Sequence, residues 1–94
     1  MNTGENKITE IDKEFTYKGE NFVRVFENGE WYIYRRDHYG TFYYEVFMKK
    51  VVDKIDFNTK VPTGERKYTY PKDDHFGRWA WCCRSLDKAM SYIT

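Results

Sequence analysis

The chain has 94 residues and sets sixteen Lys and Arg against fifteen Asp and Glu, a formal net charge of +1. So even a balance creates no global field favouring nucleic acid or an anionic membrane, and it excludes a strongly acidic DNA mimic. With 40% hydrophobic, 20% aromatic and 33% charged residues, the composition is that of one soluble domain with an aromatic core.

Residues 1–12 are polar, with Ile8 and Ile11 as the only anchors, and read as a loosely ordered lead-in to a single domain over 13–94. The start MNTGENKITE has neither a basic n-region nor an apolar h-region, and no apolar stretch approaches the roughly 20 residues that span a bilayer. The expectation is a cytoplasmic protein without a membrane partner. From residue 15 to residue 51 runs a nearly continuous strip of β-formers rich in tyrosine and phenylalanine.

The first strand is expected over 14–18, with Phe15 and Tyr17 on one face. A turn at Gly19, Glu20 and Asn21 leads into a second strand over 22–27, because glycine accepts positive φ and asparagine tolerates it. Asn28-Gly29 is a strong hairpin signal and predicts a type I′ turn with both residues at positive φ. The third strand, 30–36, sorts Trp31, Ile33 and Arg35 onto one face and Tyr32, Tyr34 and Arg36 onto the other. Asp37-His38-Tyr39-Gly40 forms the next turn. A long fourth strand over 41–51 carries Phe42, Tyr44, Val46 and Met48 on one side and Tyr43, Glu45, Phe47 and Lys49 on the other.

Residues 53–77 are charged and turn-forming, with a short strand expected near 66–70; a loop of this length is uncommon in a compact domain unless it has a role. The apolar run over 78–84 suits a strand. Ser85 is a natural N-cap for a helix whose stripe is Leu86, Ala89, Met90 and Ile93. The fold class is therefore α+β: an antiparallel β-meander of about four to six curved strands with one C-terminal helix packed on a face. A small all-β barrel with the helix as plug or lid is the competitor. The expected core is Trp31, Ile33, Phe42, Tyr44, Val46, Trp79, Trp81, Leu86 and Met90, although alternation alone leaves open which face meets the helix.

Candidate chemistry is sparse. Cys82 and Cys83 are adjacent and point to opposite faces of a strand, which argues against a disulfide and fits a reducing compartment. With His38 and His75 far apart, the ligand spacing of a zinc site is missing, and no metal or other cofactor is expected. His75 beside Asp73 and Asp74 suits a turn better than a general base, since adjacent side chains seldom reach that geometry. No P-loop or dinucleotide fingerprint is present, so no enzymatic activity is expected.

The aromatic sheet is the remaining feature. Tyr32, Tyr34, Arg36, Tyr43 and Phe47 form the expected binding face, with residues 53–77 alongside. Interfaces are enriched in these residue types, which points to a protein partner, a second copy of the chain being one form of it. The alternative is single-stranded nucleic acid, stacked on the tyrosines and held by Arg36, Arg24, Lys49, Lys50 and Lys54. Against it stand the neutral charge balance, the acids Glu27, Glu30 and Glu45 on the same strands, and the lack of an RNP-like motif.

The charged start, the segment Tyr44-Glu45-Val46-Phe47 and the ending Phe76-Gly77-Arg78-Trp79-Ala80-Trp81, followed by Ser85-Leu86-Asp87-Lys88-Ala89, resemble small uncharacterised proteins carried by bacteriophages and mobile elements. The likeness covers the C-terminal half and brings no functional residue with it. It implies a role: inhibitors or adaptors that bind and block a host or defence protein.

Overall fold

A computed structural model describes residues 8–93. Eight strands and one helix follow in the order β1 (Ile8–Thr9), β2 (Glu14–Tyr17), β3 (Glu20–Glu27), β4 (Trp31–His38), β5 (Thr41–Met48), β6 (Val51–Ile55), β7 (Pro62–Tyr68), β8 (Ala80–Cys83) and α1 (Leu86–Ser91). The fold is α+β and mostly antiparallel, as expected, but with more strands than the four to six anticipated. The surplus comes from both flanks of the meander. Ile8–Thr9, within the expected lead-in, pairs in parallel with β7, and residues 53–77 hold most of a β6–β7 hairpin. Residues 1–7 of that lead-in lie outside the described residues.

The chain forms two compact units. One comprises residues 8–11 with 50–70 and carries a three-stranded sheet in the order β1-β7-β6. The other comprises residues 12–49 with 71–93 and carries a five-stranded sheet in the order β2-β3-β4-β5-β8, plus α1. That larger sheet has two edges, β2 and β8, so it is not a closed barrel.

Turn chemistry sets the register of the larger sheet. Between β2 and β3 lie only Lys18 (φ 53°) and Gly19 (φ 80°), and between β4 and β5 only Tyr39 (φ 51°) and Gly40 (φ 85°). Both pairs have the two positive φ values of a type I′ hairpin turn. The type I′ turn expected at Asn28-Gly29 is not there, since neither residue adopts positive φ. Asn28 instead precedes the turn. Its Oδ1 accepts from the amides of Glu30 and Trp31, both at 2.8 Å, and its own amide donates to the Trp31 carbonyl. This side-chain bond to the backbone shifts the turn by one residue, so Glu27 opposes Tyr32, and a bulge at Val25 follows between Arg24 and Phe26.

Alternation then sorts the side chains. On the α1 side, Ile33, Val46, Cys83 and Ala89 are buried, with Phe26, Trp31, Tyr44, Trp81, Met90 and Ile93 packed around them. Ser85 Oγ accepts from the Lys88 amide at 3.2 Å and caps α1 as expected. Two expected core residues are corrected: Phe42 and Leu86 are exposed, Phe42 beyond the reach of the six-residue helix and Leu86 at its first turn. Trp79 precedes β8 and packs on the opposite side, edge-on to Phe47 and tilted against His75.

Candidate functional site

The five residues of the expected binding face all lie on the side of the larger sheet away from α1. Tyr32, Tyr34 and Phe47 are fully buried, which corrects the expectation of an open face there. Phe15 stacks on Phe22 with ring centroids 4.8 Å apart and tilts against Tyr34, while Tyr34 stacks on Phe47 at 5.9 Å. The Tyr34 hydroxyl donates to the Asp12 carbonyl at 2.7 Å, so the phenol is satisfied inside the fold. Arg36 and Tyr43 are half-buried at one end of this face and belong to a polar cluster.

Arg36 organises that cluster. Its Nη1 donates to Glu20 Oε1 at 3.1 Å. Its Nε stands 3.1 Å from Glu45 Oε2, an ion-pair distance without hydrogen-bond alignment. Burial works against the Arg36 charge, but Glu45 and then Glu20 outweigh it and hold the guanidinium pKa above its ordinary value. Glu20 also bonds His38 Nδ1 through its second oxygen. That bond, followed by Arg36, pulls the Glu20 carboxyl below the usual glutamate range. The Tyr43 ring lies 5.0 Å from the Arg36 guanidinium and 5.1 Å from that of Arg84, a cation–π contact with each.

Cys82 touches this cluster from β8. Burial first and then Glu45 push its thiol pKa up, with Arg36 opposing more weakly. Both cysteines are free thiols, and burial raises Cys83 too. A thiol with a raised pKa stays protonated at neutral pH and is a poor nucleophile. The cluster therefore ties β3, β4 and β5 together with paired charges, and the Cys82 thiol of β8 abuts it.

His75, the other candidate acid–base group, sits in a 3₁₀ turn at Asp73–His75. Its Nδ1 accepts from the Lys72 amide at 3.0 Å, and its Nε2 is 3.8 Å from Asp74 Oδ1. One ring nitrogen is thus committed to closing the turn. Among the described residues no group of three or more His, Cys, Asp or Glu is arranged to hold a metal ion.

Three apolar side chains at the tip of the β6–β7 hairpin in the smaller unit are exposed. Phe57 is 84% exposed, Val61 55% and Ile55 52%. The turn that carries them is built tightly. Asp56 Oδ1 accepts from the amides of Asn58 and Thr59 at 2.8 and 3.2 Å. The Lys60 amide donates to the Asp56 carbonyl, and the Asp56 amide to the Val61 carbonyl. Lys60 takes the left-handed conformation, φ 62°, that closes such loops, and its ammonium lies 4.8 Å from the Phe57 ring centroid. These residues fall within the 53–77 segment expected at the contact surface, but none was singled out. Their signal is the β-branched run Val51-Val52 followed by the turn formers Asp56, Asn58 and Thr59.

No protein-family model, curated protein or solved structure matches this chain.

Proposed function

We propose that this protein is a non-enzymatic interaction module that binds another protein through the apolar tip of the β6–β7 hairpin. The observation that carries this is Phe57, 84% exposed on a turn held by four backbone or side-chain hydrogen bonds around Asp56. A phenylalanine in water contributes nothing to the core of its own unit, whereas burying it against a partner is worth roughly 1.5–3 kcal/mol. A rigid turn reduces the ordering cost of presenting it, the usual way a small surface becomes an anchor.

The inhibitor or adaptor role implied by the bacteriophage resemblance belongs to the same proposal, as does a cytoplasmic location, supported by two free adjacent thiols. The single-stranded nucleic-acid alternative draws less support, because three of the stacking residues it needs, Tyr32, Tyr34 and Phe47, are interior.

The test compares the wild-type chain with Phe57→Ser as bait in lysate, after nuclease treatment and at high salt. A protein retained by the wild type and lost by a Phe57→Ser variant of unchanged melting temperature supports the proposal. Equal retention by both removes the hairpin tip from the interface. Sedimentation of the purified chain at rising concentration shows whether the partner is a second copy.

A further inference from the structure

The α1 side of the larger sheet is only partly covered, because α1 packs on β5 and β8 at one end. At the other end a groove of about 480 Å³ opens over β2, β3 and β4, lined by Glu14, Thr16, Asn21, Val23, Arg35 and Asp37. That volume is in the range of small-ligand sites. Register explains the lining: Glu14, Val23 and Arg35 form one cross-strand row, and Thr16, Asn21 and Asp37 the next.

The charges in this groove do not satisfy each other. Among the described residues Arg35 has no carboxylate within ion-pair distance, although Glu14 and Asp37 share its groove. Its guanidinium rests on the Phe42 ring, 4.5 Å from the centroid, and its Nε is buried without a hydrogen-bond partner. Asp37 Oδ1 accepts from the Gly40 amide at 3.1 Å. Asn21 Oδ1 is committed to the Thr16 hydroxyl at 3.0 Å. The groove thus presents a guanidinium over an aromatic ring, with one carboxylate two residues further along the same strand, Asp37, and one on β2, Glu14.

We infer that this groove binds a small zwitterion, a free α-amino acid, with the ligand carboxylate on the Arg35 fork and its ammonium facing Asp37 and Glu14. A planar guanidinium is matched to a carboxylate, which it engages through two parallel N–H donors. A ligand with an anionic group alone would meet two repelling acids, and a cation alone would meet Arg35. Only a ligand with both charges satisfies both poles. The site lies in a different unit from the hairpin tip and does not depend on it.

The test titrates the full ¹⁵N-labelled chain with each of the common L-amino acids, following amide shifts over 14–23 and 35–37, then repeats the best binder as its N-acetyl and its carboxamide derivatives. Saturable shifts with a free amino acid, weakened roughly tenfold in both derivatives, are expected, since each loses one charged contact. Arg35→Gln abolishes binding. Asp37→Asn, which keeps the oxygen that accepts from Gly40, weakens the amino acid while leaving the N-acetyl derivative unaffected. Absence of a saturable shift with any amino acid overturns the inference. So does equal binding of either derivative, or unchanged affinity in Asp37→Asn.

Discussion

Arg36 and Glu45 form an ion pair between neighbouring strands, Nε to Oε2 at 3.1 Å, and Glu45 is 7% exposed. The carboxylate is therefore almost wholly removed from water and paired there with the guanidinium. Truncating the cation removes its charge compensation from a buried anion, which costs about 3 kcal/mol, more than the pair itself contributes over apolar residues of similar shape. Arg36→Ala is accordingly expected to be strongly destabilising in urea denaturation. Arg36→Met with Glu45→Leu is expected to lose less than the sum of the single variants. Strict additivity in that cycle would show the two groups to be independent.

Acid should loosen the same cluster. The Glu20 carboxyl is held below the ordinary glutamate value of 4.5 by the His38 bond and by Arg36, and Glu27 is lowered in the same direction by Lys49. A folded-state pKa below the unfolded one means the unfolded chain takes up protons first. The stabilisation is complete above the unfolded value, near pH 4.5, and disappears as pH falls through the lower folded value. Glu20→Gln cannot ionise, so its stability should change less steeply with pH below 4.5 than that of the wild type. Parallel curves for the two proteins would remove Glu20 from the acid response.

The turns offer a gain. Lys18 and Gly19 form a type I′ pair, and Lys18 has no side-chain reason to tolerate φ 53° beyond its ammonium 5.4 Å from the Tyr17 ring. Asparagine accepts that conformation more readily and is the preferred residue there. Lys18→Asn should raise stability by about 0.5 kcal/mol, seen as a higher melting temperature. A lower one would mean that the Lys18–Tyr17 contact outweighs the backbone relief.

The same turns show what was legible in the sequence. Alternation correctly kept Trp31 with Ile33 and Tyr32 with Tyr34; of the stripe Leu86, Ala89, Met90 and Ile93, the last three pack on the core, Ile93 from just beyond the end of α1, while Leu86 is exposed. The β2–β5 order follows from strand and turn signals that are local. Asn28 was misplaced because its side chain can either enter a positive-φ turn or bond to the amides ahead of it, and the composition Asn-Gly does not decide between them. The binding face was misjudged for a different reason. Periodicity assigns residues to faces, but whether a face is covered depends on tertiary packing, and Tyr32, Tyr34 and Phe47 are as buried as Ile33 and Val46 on the opposite side. Of the β6–β7 hairpin only a strand near 66–70 was expected, which overlaps the end of β7; the rest went unmarked because most of its residues are exposed and show no apolar alternation.

Cys82 provides a chemical probe of the polar cluster. Although the residue is exposed, burial of its thiol and the Glu45 charge raise the pKa above the ordinary 9.0, while Arg36 acts weakly against them. Thiol reagents attack the thiolate, so labelling at neutral pH should be slower than for an unstructured cysteine, with the rate still climbing above pH 9.0. Replacing Glu45 by Gln removes the repelling charge and should speed the reaction at neutral pH. Replacing Arg36 by Met removes the favourable one and should slow it further, provided labelling is faster than unfolding. Cys83, buried on the α1 side, reacts only when the sheet opens, so a Cys83→Ser background isolates the Cys82 signal. Labelling of Cys82 at the rate of a free peptide thiol, unaffected by either substitution, would show that Glu45 and Arg36 do not act on it.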